Sequence, residues 1–350
     1  MLSKSVYFVG LRYQHHARHS GYEQFGRHVG SFLPPPVNFR WTLGPVGWAL
    51  NQFFAKITRH PWYSLGAHLT EWSAFQHMVR HRKSLYHILY GDSDLWLLRH
   101  AHRLTGNFMV ASFHQPVNDL RELGAIERVG RKLDGAILVS EAQRSYFEEF
   151  LPAERVFVVP HGVDTEFFRP APGTHDGPLC ITVGSHLRDF ETLRKAIGLV
   201  WESNPSVQFI AVGTRTSEKF YFRGLEDKRI LYLDRVSDEE LLQSLQKAKV
   251  ALFSFASATA NNAMLEAMAS GLPIVATDVG GIGEYITDDV GTLCPPKNPD
   301  ALAASVLHYL NDSESQMKKA KAARERALQL DFNIVAKSMS AIYSQILHLS

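Results

Sequence analysis

Between Ser257 and Gly281 the sequence reads SATANNAMLEAMASGLPIVATDVGG, and its residue types suit the binding of a phosphorylated ligand. Ala263 to Ser270 is rich in strong helix formers, Asn261 and Asn262 stand where an N-cap belongs, and Gly271-Leu272-Pro273 stops the helix. Ile274 to Thr277 then reads as a short parallel strand. The start of such a helix has backbone N–H groups without helical acceptors and the positive end of the macrodipole. Asn262, Ala263, Met264 and Leu265 therefore form an anion site suited to a diphosphate. Glu266, one turn in, is placed to accept hydrogen bonds from a ribose diol. The plainer reading is a capped helix with Glu266 on a solvated face. The register of Gly-Leu-Pro and of Asp278-Val279-Gly280-Gly281 favours the ligand site.

Other residues could join that chemistry. His114 stands just past the apolar run Phe108 to Phe113, where open α/β sheets place ligands. Arg188, in VGSHLRDFETL after the run Leu179 to Val183, could neutralise charge on a departing diphosphate; its plainer reading is an exposed charge at a helix start. Ser237 reads as the N-cap before Asp238-Glu239-Glu240. Gly280 and Gly281 either let backbone approach a ligand or make a tight turn. The one Asp-x-Asp, Asp92-Ser93-Asp94, reads as a loop turn rather than a metal site.

The elements that must position these residues alternate strand and helix. Ser5 to Gly10 reads as a first buried strand, followed by an amphipathic helix from about Tyr22 to Val29. Phe108 to Phe113, Gly135 to Val139 and Val156 to Val159 are further strands. A second series comprises Leu179 to Val183, Val207 to Val212, Ile230 to Leu233, Val250 to Phe253 and Ile274 to Thr277, with helices from about Asp189, Asp238 and Ala263. Three helices end the chain: Asp300 to Leu310, Ser313 to Leu330 and Phe332 to Leu349. The pattern predicts an α/β chain with two doubly wound parallel sheets. The Pro-rich and Gly-rich stretch from Pro160 to Pro178 marks the junction, dividing residues 1–165 from 166–331.

The segment around Asn261 to Glu266 resembles the donor-site signature of the retaining glycosyltransferases of family 4, which have the GT-B fold. His161-Gly162-Val163-Asp164 through Pro170 and AILVSEAQRSY, Ala136 to Tyr146, are similar to other segments of that family, and the likeness runs from Phe108 to Leu310. Ser20-Gly21-Tyr22-Glu23 resembles its glycine-containing loop, with one glycine where two are common. The resemblance implies two Rossmann-like domains facing a cleft, with the last helix, 332–350, returning to the first domain. It implies transfer of a hexose from a nucleotide diphosphate sugar, UDP- or GDP-linked, to a glycan, lipid-linked or small-molecule acceptor, with no metal or other cofactor. It places the ribose on Glu266, the diphosphate on residues 262–265, the base near Val236, donor contact at Gly21, and His114 and Arg188 at the reacting centre. The family's first glutamate falls on Ala258, so a carboxylate is missing there and Asn261 or Asn262 is expected to hold a donor hydroxyl instead. Two alternatives stay open: a catalytically silent GT-B homologue acting as a scaffold, which would explain Ala258, and a sugar-nucleotide epimerase, which would need an acid and a base around the sugar.

Composition sets limits. The 350 residues suffice for two cores, and a formal net charge of +2 gives no sign of a nucleic-acid partner. Cys180 and Cys294 have neither metal-ligand nor disulfide spacing. No signal peptide or membrane span is legible, so the expectation is a cytoplasmic protein, peripheral at the inner face of a membrane if at all. Residues 31–100 resemble the family least, and within them Phe32 to Phe75 holds Trp41, Trp48, Trp62 and Trp72, four of the six tryptophans. That segment reads either as the core of an irregular insertion or as a surface for acceptor or membrane.

Overall fold

Strands buried on both faces are expected to be apolar throughout rather than alternating, and in a parallel sheet flanked by helices they are. The computed structural model describes residues 5–10, 18–33, 44–171, 177–214 and 221–348. Their contacts define two units. One comprises the described residues of 1–16, 22–160 and 333–350, the other those of 17–21 and 161–332. The division thus falls at 160/161 rather than 165/166, and residues 17–21 group with the second unit.

In the first unit the elements are β1 (Val6–Val9), β2 (Ser31–Phe32), α1 (Pro45–Thr58), α2 (Leu65–Arg80), β3 (Leu85–Ile88), α3 (Leu98–Thr105), β4 (Phe108–Phe113), α4 (Val117–Leu123), α5 (Ile126–Gly130), β5 (Gly135–Leu138), α6 (Arg144–Glu148) and β6 (Val156–Val158). The strands form a parallel sheet in the order β2-β1-β3-β4-β5-β6. The expected helix from Tyr22 to Val29 is instead a 3-10 helix, Tyr22–His28. It is pressed onto the sheet so closely that a Cβ on Gly26 would lie 2.7 Å from the Phe32 ring, and one on Gly30 2.5 Å from Phe8. β3 was not apparent in the sequence because His87 interrupts its apolar run. In the fold His87 is fully buried, its Nδ1 2.6 Å from the Tyr343 hydroxyl and its Nε2 2.7 Å from that of Ser112.

The second unit contains β7 (Leu179–Val183), α7 (Phe190–Ser203), β8 (Gln208–Val212), β9 (Ile230–Leu233), α8 (Asp238–Lys247), β10 (Val250–Phe253), α9 (Asn262–Ala269), β11 (Ile274–Thr277), α10 (Ile282–Tyr285), β12 (Gly291–Cys294), α11 (Pro299–Asn311) and α12 (Ser313–Gln329). Its parallel sheet runs β12-β11-β10-β7-β8-β9. The strand order reverses between β7 and β10, and the crevice beyond the carboxyl ends of those two strands is where doubly wound sheets bind ligands. The last helix, α13 (Phe332–His348), belongs from Asn333 onward to the first unit, where Tyr343 is bonded to His87 of β3. β12, unforeseen, pairs with β11 along Ile274–Thr277.

Candidate active site

The crevice beyond β7 and β10 is lined by loops that glycine keeps narrow. Gly184, directly after β7, has φ +83°, and Gly213, directly after β8, has φ +64°. A Cβ on Gly213 would lie 3.9 Å from Gly184 Cα and 4.0 Å from the carbonyl oxygen of Asp234, so the ends of β7, β8 and β9 meet here. Three buried polar atoms in these loops have no hydrogen-bond partner among the described residues: Thr214 Oγ1, Ser254 Oγ and Arg188 Nε. Buried donors and acceptors are rarely left unpaired, and a cluster of them at a switch point suits a polar ligand.

Arg188 reaches this crevice because residues 187–189 run alongside the end of β10. The amide of Ala256 donates to Leu187 at 2.9 Å and that of Asp189 to Ser254 at 2.8 Å. Its guanidinium lies over the Phe255 ring at 4.3 Å and donates to the Val183 carbonyl at 2.8 Å and to Asn261 Oδ1 at 3.2 Å. Arg188 is therefore half-buried rather than an exposed charge, and desolvation pushes its guanidinium down to about 9, still cationic at neutral pH. Among the described residues no carboxylate pairs with it. A desolvated cation held only by neutral acceptors is a strong anion site.

Asn261 is the N-cap of α9, its Oδ1 accepting from the Met264 amide at 3.1 Å, and Asn262 is the first helical residue. The cap narrows the expected anion site. Met264 N–H is taken by that side chain and Leu265 N–H by the Asn261 carbonyl at 3.1 Å. The amides of Asn262 and Ala263 remain for a ligand, while the Met264 and Leu265 side chains belong to the core. Ala258 is also in that core, 4% exposed, in one cluster with Phe255, Met264 and Ile282.

Glu266 is not on a solvated face. It is 4% exposed, and burial, partly opposed by the hydroxyl of Ser20 donating to Oε1, pushes its carboxyl up to about 7. Ser20 precedes Gly21, whose φ of +103° turns the chain away after that contact. The same segment is held by His19, whose amide donates to Asp238 Oδ2 and whose Nδ1 pairs with Asp164 Oδ2, each at 2.7 Å, with its ring stacked on Phe167 at 3.8 Å. Ser20 and His19 were not singled out in the sequence; their partners lie far along the chain, beyond any local pattern. Val236 leads from β9 into the capping box of Ser237 and Glu240 and packs partly buried on the core.

The two glycines after Asp278 serve a turn against the 258 loop. Gly281 donates to the Ala258 carbonyl at 3.0 Å, and a Cβ on Gly280, at φ +54°, would come within 1.9 Å of that oxygen. Gly280→Ala should therefore destabilise the second unit by well over the ~1 kcal/mol of a left-handed alanine alone. Denaturant unfolding of the two proteins measures this.

His114 belongs to the first unit, at the end of β4. Its amide is accepted by Asp92 Oδ2 at 2.9 Å, its Nε2 donates to the Leu89 carbonyl at 2.8 Å, and Tyr22 meets the ring edge-on at 4.4 Å. Asp92 is buried and also accepts from the Gln115 amide, so its carboxylate organises the His114 turn. Within Asp92-Ser93-Asp94, the amides of Ser93 and Asp94 both donate to the Tyr90 carbonyl, which is the expected turn. In the segment 31–75, Trp41 lies outside the described residues; the described residues include β2, α1 and most of α2, with Trp48, Trp62 and Trp72 exposed.

Two parallel six-stranded sheets, the second with its ligand crevice at the strand-order reversal, define the GT-B class of α/β protein. Residues 177–312 match the family model described as "Glycosyl transferases group 1". Phosphatidyl-myo-inositol mannosyltransferases from Mycobacterium leprae and Mycolicibacterium smegmatis are 25% and 24% identical to this chain, over 72% and 68% of it and 70% and 65% of their own lengths. Among solved structures, sucrose-phosphate synthase from Thermosynechococcus elongatus superposes with a TM-score of 0.76 at 18% identity, covering 99% of this chain and all of that one. Anabaena HepE in complex with UDP-glucose gives 0.71 at 16% identity, covering 97% and 99%. Residues 177–312 thus resemble a group 1 glycosyltransferase domain, and the likeness to the solved structures shows the GT-B fold.

Proposed function

We propose that this chain moves a hexose from a nucleotide diphosphate sugar, UDP- or GDP-linked, to a glycan, lipid-linked or small-molecule acceptor, with retention at the anomeric carbon and without a metal ion. The observation that carries this reading is Arg188, a half-buried cation with no carboxylate partner among the described residues, hydrogen-bonded to the N-cap of α9. Mannosyltransferases among the relatives and a UDP-glucose complex among the structural neighbours support it. In the proposed reaction the bond from the anomeric carbon to the diphosphate oxygen breaks and its electron pair goes to the diphosphate. The acceptor oxygen bonds to the same face of that carbon, and its proton passes to a diphosphate oxygen. Arg188 and the amides of Asn262 and Ala263 stabilise the developing charge, which is the role a metal would otherwise fill. Glu266 holds the ribose, the base lies near Val236 with Gly21 at the donor's edge, and His114 orients the sugar and acceptor.

The test is a thermal-shift screen of nucleoside diphosphates, followed by incubation with the matching sugar donors in chelator and NMR of the product's anomeric configuration. An inverted product or a chelator-sensitive rate would overturn the corresponding clause. Binding without turnover of any donor would identify a silent scaffold.

With Ala258 apolar, the hexose hydroxyls are left to the asparagines. Asn261→Ala should lose a helix cap as well as an Arg188 contact, costing about 1 kcal/mol of stability together with donor affinity. Asn262→Ala should leave stability nearly unchanged and weaken the nucleotide sugar but not the free nucleotide diphosphate. Parallel titrations with both ligands check this; equal losses for the two ligands in Asn262→Ala would remove the residue from the hexose site.

A further inference from the structure

Helix α1 turns its apolar side outward. Val46, Ala49, Leu50, Phe53 and Ile57 recur at the spacing of one helical stripe, and Val46, Phe53 and Ile57 are 73%, 54% and 60% exposed. Trp48 is 67% exposed but projects from nearly the opposite side of the helix and is not part of the stripe. An adjacent side is the one tied down: Asn51 Oδ1 accepts from the Leu65 amide at 2.7 Å, Phe54 stacks on His68 at 4.5 Å, and Thr58 is buried. An exposed stripe of this kind is costly in water and calls for a partner.

Charge selects the partner. Between Glu23 and Glu71 the sequence contains no Asp or Glu, against Arg27, Arg40, Lys56 and Arg59. Lys56 and Arg59 are exposed at the C-terminal end of α1 itself. Fourteen residues span about 21 Å, too short to cross a bilayer but suited to lying in its interface. Among the described residues no helix is long and apolar enough to cross a membrane.

We propose that the outward face of α1 docks the chain on an anionic lipid bilayer, with Val46, Leu50, Phe53 and Ile57 entering the acyl boundary and Lys56 and Arg59 meeting lipid phosphates. Anionic headgroups supply the counter-charge that this acid-free segment lacks. The docking does not depend on the transfer reaction and is read separately from it.

The experiment is flotation of the full chain with phosphatidylcholine vesicles, with and without phosphatidylglycerol. Binding is expected to need the anionic lipid and to fall with added salt. Phe53→Glu should weaken it roughly tenfold or more, since a buried aromatic anchor is replaced by a charge repelled from the surface. Ala49→Asp and Lys56→Glu, both at exposed positions, serve as second variants if Phe53→Glu does not fold, and both should weaken binding with unchanged nucleotide affinity. Binding to neither vesicle, equal binding to both, or binding indifferent to all three variants would overturn the proposal. So would concentration-dependent self-association abolished by Phe53→Glu, because the stripe would then be covered by a second copy.

Discussion

Arg188→Ala is expected to lower turnover by about 10²–10³-fold while changing affinity for the nucleoside diphosphate much less. In the proposed reaction the guanidinium meets the charge that develops on the leaving group: it is half-buried, cationic, stacked on Phe255 and joined through Asn261 to the α9 N-terminus. Its existing hydrogen bonds are to neutral acceptors, the Val183 and His186 carbonyls and the Asn261 amide oxygen, and none cancels its charge. An anion becoming more negative in the transition state therefore gains more from it than the ground-state diphosphate does. Arg188→Lys keeps a charge but loses the planar fork and the stack, and should recover only part of the rate. Melting curves of both variants separate a chemical loss from a packing loss. A raised Michaelis constant for the donor with unchanged turnover would make Arg188 a ground-state binder.

How much of this site can be read before the fold is known depends on the range of the interactions. The N-cap at Asn261, the capping box at Ser237 and the strands β7, β10 and β11 rest on neighbours within a few residues, and their positions follow from local pattern alone. β3 does not, because His87 becomes tolerable in a buried strand only when Tyr343, 256 residues away, and Ser112 satisfy both ring nitrogens. The environment of Glu266 is hidden for the same reason. A glutamate one turn into a helix looks solvated until Ser20, 246 residues earlier, is found on it and the helix is found buried. Arg188 resembles any charge before a helix until the 187–189 segment is seen running beside the end of β10. The narrowing of the anion site to the Asn262 and Ala263 amides is a subtler case: the residue that marks the helix start also uses up one of its N–H groups.

Glu266→Gln should weaken donor binding by roughly ten- to a hundredfold, the equivalent of the ~1.5–3 kcal/mol of a charge-assisted hydrogen bond. The carboxyl is already suited to a hydroxyl donor, since that of Ser20 rests on Oε1. Its titration gives the prediction a second readout. Burial holds the folded-state carboxyl at about 7, above the ~4.3 of an unfolded glutamate. Between those values the unfolded chain releases its proton first, so Glu266 costs stability increasingly as pH rises to about 7 and by a constant amount above it. The neutral amide of Glu266→Gln removes that cost, and the donor-free variant should melt higher relative to wild type above pH 7 than at lower pH. Donor affinity of the wild type should move oppositely, rising with pH through about 7 as the ionised carboxylate becomes the better acceptor for a ribose diol, and this step should be absent in Glu266→Gln. Isothermal titrations of nucleoside diphosphate and of its 2′,3′-dideoxy analogue across that range decide the assignment. If the dideoxy compound binds wild type as tightly as the parent, or if the pH step persists in Glu266→Gln, the ribose is held elsewhere.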